Sequence, residues 1–418
     1  MSGASLNFLK AGLCVIACLL ASACGGGGDD VGVSGSGGSS TPPVSGANVA
    51  TVTVDSGPAG DSANTLFVSV TLCAPGSTSN CQTIDHVEVD TASYGLRVIS
   101  SVLTTAMTQA LPVQTLSGGA SLLECTNFVQ GYSWGPVVAA DVTIAGETAS
   151  SLPVQVIGDP AYTTVPDDCS GLGTAVNSVS GFGANGVLGI GPFIQDCGAG
   201  CAENPVPTTY YACTGTTCTA TALATIAQVQ NPVASFPTDN NGEIVQLPSV
   251  ASGGAASVSG SLIFGVDTES NNASNASGTE TVLTVSDEDY LTVVFNGHSY
   301  AQSFIDSGSN GIYFNDSDLT VCTQSGFTEF YCPASTTALS ATLTGVNGMT
   351  ATYSFNVANT ETLFSGTTQL AAFADLGGTF PGSTMSFDVG MPFYYGRRVA
   401  TVIEGNTTTV GTGPYFAF

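Results

Sequence analysis

Apolar residues in this chain recur in short runs rather than at helical spacing. Leu66–Thr71, Val154–Gly158 and Leu283–Phe295 alternate with polar residues or are rich in β-branched ones, which predicts strands. In Val87-Glu88-Val89-Asp90, strict alternation turns the two valines to the core and places Glu88 on the same face as Asp90. Helices are predicted only as short pieces, at Ala220–Val229 and Gln369–Asp375. Glycine, serine, threonine and proline punctuate the runs, so the expected class is mostly β with many turns.

Composition narrows the function classes. The 418 residues carry 4 Lys+Arg against 31 Asp+Glu, a net charge of −27, and 43% of them are apolar. So few cations cannot neutralise a phosphate backbone, which excludes nucleic acid as a partner. The composition also lacks the Ala, Glu, Lys, Leu and Arg excess of a coiled coil, and it is too apolar for intrinsic disorder.

The first residues read as an address. Lys10 precedes the apolar run Ala11–Leu20, which is too short to span a bilayer. Ala21-Ser22-Ala23-Cys24 with Gly25 after it resembles a bacterial lipoprotein signal, although Ala21 stands where such signals usually carry Leu. The resemblance implies removal of residues 1–23, lipid on Cys24, and an envelope protein, expected at the outer membrane, that meets the membrane through the lipid alone. Residues 24–48 would be a Gly/Ser/Pro tether with a reach of roughly 25–30 Å. The mature chain would keep three arginines and no lysine.

Ten cysteines follow Cys24, an even number that suits disulfides in an oxidising compartment. Cys73–Cys81, Cys322–Cys332 and Cys125–Cys169 are the expected pairs. Cys197, Cys201, Cys213 and Cys218 admit three connectivities, which stay open, or a zinc site of loose spacing.

Two segments repeat one pattern, Val89-Asp90-Thr91-Ala92-Ser93 followed by Gly95-Leu96, and Ile305-Asp306-Ser307-Gly308-Ser309 followed by Gly311-Ile312. Two carboxylates forced together share a proton, which gives one site an acid and a base. Tyr132-Ser133-Trp134-Gly135, Asn185-Gly186-Val187-Leu188-Gly189, Gly260–Asp267 and Val389-Gly390-Met391-Pro392-Phe393 follow in chain order. Together these segments resemble the pepsin-like aspartic proteases, and the envelope lipoproteins of unassigned function that share their fold. The resemblance covers most of residues 49–418. It implies a bilobal β fold with lobes at 49–255 and 256–418, and a central cleft. It makes Asp90 and Asp306 the catalytic pair, with Thr91, Ser93, Ser307 and Ser309 supporting them and Tyr132 closing a flap over an extended peptide. A monomer without metal or cofactor is expected.

The chain departs from the family at Ala92, where a glycine is usual, and at Asp388, where an apolar residue is usual. The expected activity is therefore endopeptidase, with a catalytically silent peptide-binding or partner-binding protein as the alternative. Other chemistry has weaker support. His86 and His298 lack a Gly-x-Ser-x-Gly elbow, and the oxygen-rich turns at 239–243 and 315–318 lack a calcium-loop pattern. Arg97, Arg397 and Arg398 are scarce enough that each is expected to pair with a buried acid.

Overall fold

The computed structural model describes residues 44–380 and 382–418. The expected signal segment, Cys24 and most of the tether lie outside the described residues. The chain is mostly β; the longest helix among the described residues, Thr105–Ala110, has six residues. No helix among them is long and apolar enough to cross a membrane.

Six strands close on themselves. In order they are Gly131–Ile144, Glu147–Ile157, Tyr94–Ile99, Gly186–Ile190, Cys81–Asp90 and Leu66–Cys73, and Thr71–Cys73 then pairs back onto Asp141–Thr143. Inward residues such as Val70, Leu72, Val98, Val142, Val154 and Leu188 fill the interior of this barrel. Val49–Val54 pairs on one side with Leu66–Phe67 and on the other with Val258–Phe264, through six residue pairs. Gly242–Gln246, Arg398–Val402 and Tyr415–Ala417 extend the same sheet, so it carries strands from both sides of position 255. A second sheet of seven strands is built from residues 291–389.

The sheets depart from the alternation pattern where it matters most. Val87, Glu88, Val89 and Asp90 are all fully buried. The valines face the main core, while Glu88 lies between Phe67 and Val187 on its neighbouring strands. A strand covered on both faces has no polar side to mark it.

Three sequence expectations are corrected. Gln369–Asp375 is not a helix, because Ala371 and Ala372 donate to the Ala255 carbonyl and Asn64 donates to the Ala371 carbonyl. Ala220–Val229 holds only a short 3-10 turn at Thr225–Ala227. Leu283–Phe295 breaks into Val282–Thr284 and Leu291–Phe295 around a turn at Ser286–Tyr290.

All ten described cysteines are paired. Cys73–Cys81, Cys125–Cys169 and Cys322–Cys332 form as expected, and Cys197–Cys201 and Cys213–Cys218 resolve the open connectivity. The zinc reading fails, since all four candidate thiolates are consumed in disulfides.

Candidate active site

The two aspartates occupy equivalent places in the two sheets. Cys81–Asp90 ends at Asp90, the chain turns through Thr91–Ser93, and it returns as Tyr94–Ile99. Gly186–Ile190 lies between the two arms, parallel to the first and antiparallel to the second. In the second sheet, His298–Ile305 leads to Asp306 and Ile312–Tyr313 returns, with Asp388–Val389 between them in the same senses. Close approach dictates glycine at the crossing points. A Cβ on Gly189 would lie 2.5 Å from the Tyr94 nitrogen, and one on Gly390 would lie 2.1 Å from the Gly311 oxygen.

The loops bind each other reciprocally. Thr91 N–H donates to Ser307 Oγ at 3.2 Å, and Ser307 N–H donates to Thr91 Oγ1 at 3.0 Å. Ser307 Oγ in turn donates to the Val89 carbonyl at 2.7 Å, and Thr91 Oγ1 lies 3.3 Å from the Ile305 carbonyl it donates to. Each carboxylate is then fixed within its own loop. Asp90 Oδ1 accepts from Ala92 N–H at 2.9 Å and its Oδ2 from Ser93 Oγ at 2.5 Å. Asp306 Oδ1 accepts from Gly308 N–H at 2.7 Å and its Oδ2 from Ser309 Oγ at 2.8 Å. Thr91 and Ser307 therefore join the two loops, and Ser93 and Ser309 each bond the carboxyl of their own loop.

Burial and mutual charge raise two of the carboxyls clustered here. Burial pushes the Asp306 carboxyl well above the usual carboxylate range, the charges of Asp90 and Asp388 push it further, and a hydrogen bond joins it to Asp90. Asp388 is fully buried and raised likewise, first by burial and then by Asp90. By register it stands where the first sheet has Val187. Ser309 Oγ is 2.6 Å from Asp388 Oδ2 as well as 2.8 Å from Asp306 Oδ2. A hydroxyl has one hydrogen, so it donates to one of these carboxyls and accepts from the other, which must carry a proton.

Residues 44–418 match the family described as "Protein of unknown function (DUF3443)". The chain belongs to that family. No curated protein matches it. The matched span begins where the described residues begin, and it contains both aspartate loops and every strand of both sheets.

A cavity of about 630 Å³ lies beside the pair, bounded by Ala92, Tyr94 and Phe193 from one half of the chain and by Asp289, Tyr290 and Phe304 from the other. Asp90 and Asp306 are fully buried, and Ala92 rather than either carboxyl forms the wall. Tyr132 lies on the strand Gly131–Ile144. Its ring packs with Leu123, Trp134 and Tyr211 around the Cys125–Cys169 disulfide, and it borders neither this cavity nor the smaller one of about 260 Å³ next to Ser93. The hairpin that carries it is tied down: Tyr132 N–H donates to Thr174 O at 3.0 Å and Val176 N–H to Tyr132 O at 2.8 Å.

Sequence reasoning expected an acid partner for each arginine, and Arg97 has two. Its guanidinium meets Glu124 at 2.5 Å and Asp196 at 3.0 Å. Arg397 instead lies over the rings of Tyr353 and Phe393, and Arg398 reaches the Asn271 carbonyl. His86 sits beside Asp55 and Asp85, and His298 is exposed. In the 315–318 turn Asp316 Oδ1 accepts from Asp318 N–H at 2.9 Å, whereas in the 239–243 turn Asp239 Oδ1 accepts from the Thr268 hydroxyl and Asn241 Oδ1 from Val266 N–H at 2.8 Å.

Asp289 was not singled out by the sequence. Burial pushes its carboxyl up to about 8, the Tyr94 hydroxyl holds it back, and the charge of Asp90 adds to the rise. A carboxyl raised in the folded state binds its proton more tightly there than in the unfolded chain. Its contribution is complete below the ordinary carboxylate range and is lost as pH rises toward about 8. Asp306 and Asp388 act in the same direction. The melting temperature should therefore fall between about pH 4 and pH 8, and Asp289→Asn should flatten the slope. Thermal unfolding followed by circular dichroism checks this; a melting temperature that rises across the range would refute it.

Proposed function

We propose that this chain is a pepsin-like acid-pair peptide hydrolase, with two related β lobes meeting at the Asp90 and Asp306 loops. The reciprocal bonding of these loops carries the reading, because it holds two carboxyls face to face with matched serine and backbone donors. In the proposed reaction the ionised carboxyl takes a proton from a water while the protonated one donates to the peptide carbonyl. The tetrahedral adduct then collapses as the C–N bond breaks and the departing nitrogen receives a proton from the pair. The charge of Asp388 favours the protonated form of Asp306, and the Ser309 hydrogen bond opposes it. Lipid on Cys24 would hold the enzyme at the bacterial envelope.

The test is cleavage of an unfolded protein by the wild type at pH 3 to 7, with a statine peptide as inhibitor. Inhibitable cleavage supports the reading, and no cleavage at any pH by folded protein overturns it.

A second reading, peptide binding without hydrolysis, is favoured by one observation: Ala92 walls the cavity and both carboxyls are fully buried. The two readings part at Ala92→Gly. If the methyl group obstructs water placement, removing it raises the turnover rate between about 10- and 100-fold, measured with a fluorogenic peptide. An unchanged rate would acquit Ala92, and an inactive wild type woken by Ala92→Gly would make the natural chain a binding protein.

A further inference from the structure

The two aspartate loops differ at their serines. Ser93 Oγ donates to Asp90 Oδ2, and the neighbouring strand offers Val187. Ser309 Oγ instead lies between two carboxyls, 2.8 Å from Asp306 Oδ2 and 2.6 Å from Asp388 Oδ2. Hydrogens can be counted along this line. Asp306 is hydrogen-bonded to Asp90, and two carboxyls bond only if one of them carries a proton. The Ser309 bridge needs another, because its single hydrogen satisfies one carboxyl and the other must donate. The three carboxyls therefore hold two protons and one negative charge between them.

Asp388 is the natural holder of the second proton. Its Oδ1 is buried without a hydrogen-bond partner. As a carboxylate it would rest on Ser309 alone, whereas Asp90 and Asp306 each accept a backbone N–H as well. The titratable groups that face it are Asp90 and Asp306 from the two loops and Tyr313 across one strand pair, and Phe304 across the other is apolar. None of these is a cation that would hold it ionised, and the Tyr313 hydroxyl is turned to Asn310 Oδ1.

We propose that Asp388 is a positioning residue of the acid pair, which holds a second proton and passes it to Asp306 through Ser309. The inference rests on the hydrolase reading above for its use in catalysis. As Asp306 gives its proton to the peptide carbonyl, the Asp388 Oδ2–H bond breaks toward Ser309 Oγ while the Ser309 hydrogen moves to Asp306 Oδ2. The negative charge comes to rest on Asp388. Both transfers reverse when the adduct collapses and returns its hydroxyl proton to Asp306, so no proton is gained or lost by the relay.

Urea unfolding of the wild type, Asp388→Asn and Asp388→Leu between about pH 5 and pH 7 tests the proton count, since an unfolded aspartate is ionised there. A proton held by the fold and released on unfolding multiplies the unfolding constant about tenfold per pH unit. The wild-type constant should rise with pH more steeply than either variant's by that factor. A merely structural role would shift the variants equally at every pH, and such parallel curves overturn the proposal. With a fluorogenic peptide, each variant should lower kcat by about 10- to 100-fold, less than the full worth of a positioned acid, while KM holds. An unchanged kcat in a folded variant overturns the relay. A wild type that cleaves nothing, with the extra slope still lost in the variants, removes the hydrolase and keeps the shared protons.

Discussion

Asp306→Asn should lower peptide hydrolysis by about 10³- to 10⁴-fold, the usual worth of a positioned acid or base, without lowering stability at neutral pH. The amide has the shape of the carboxyl, so Gly308 N–H and Ser309 Oγ keep a partner in the loop. What disappears is the transferable proton, held on Asp306 by burial and by the charges of Asp90 and Asp388. Ground-state peptide binding should survive, so kcat falls while KM moves little. Asp90→Asn should cost as much activity. It should also do something Asp306→Asn does not, because the Asp90 charge contributes to the raised carboxyls of Asp306, Asp388 and Asp289 together. Its melting temperature should therefore depend on pH less steeply than that of the wild type. Retained activity in either folded variant would remove the acid pair from the mechanism.

Arg97→Met should destabilise the fold by about 3–5 kcal/mol, the cost of leaving a buried ion pair with one partner. Arg97 is 1% exposed and donates at four points: Glu124, Asp196, Thr126 Oγ1 at 3.0 Å and the Tyr94 carbonyl at 2.7 Å. Burial acts to lower its pKa, but the charges of Glu124 and Asp196 overcome that and raise it. One cation faces two acids, and Asp196 takes up the difference, its carboxyl raised by burial and by Glu124. Without the guanidinium, both acids stay buried, and Glu124 already has one oxygen without a partner. Arg97→Lys should recover only part of the loss, since an ammonium cannot serve all four acceptors in one plane. Urea unfolding measures both variants; a loss under about 1 kcal/mol for Arg97→Met would place the pair among those that contribute little.

The aspartate loops are legible in the sequence because their chemistry is local. The hydroxyls that orient each carboxyl lie within three residues of it, so a short repeated pattern contains most of the site. The mostly β class is legible from apolar periodicity for a similar reason. The remainder depends on contacts between distant segments. Asp388 reads as a departure from a pattern, and its role emerges only when Ser309, 79 residues earlier, reaches it. Asp289 carries no local signal at all, because its partner Tyr94 lies 195 residues away. Tyr132 also depends on a distant segment: Thr174 and Val176 bond its backbone. The mistaken helix at Gln369–Asp375 has the same origin, a segment whose backbone is claimed by Ala255 and Asn64.

The tied-down hairpin bears on association kinetics. Its outer strand Ser121–Phe128 pairs with Tyr210–Cys213 on one side and with Gly131–Pro136 on the other, and Trp134 N–H adds a bond to Asn177 Oδ1 at 3.0 Å. Leu123 and Glu124 are paired on both edges and Thr126–Phe128 on one, so the wall beside Ser93 and Tyr94 is hydrogen-bonded before any ligand arrives. For the proposed peptide ligand, such a wall would cost little ordering entropy on capture. Its encounter with a peptide should be a single bimolecular phase, linear in concentration, with no slower isomerisation behind it.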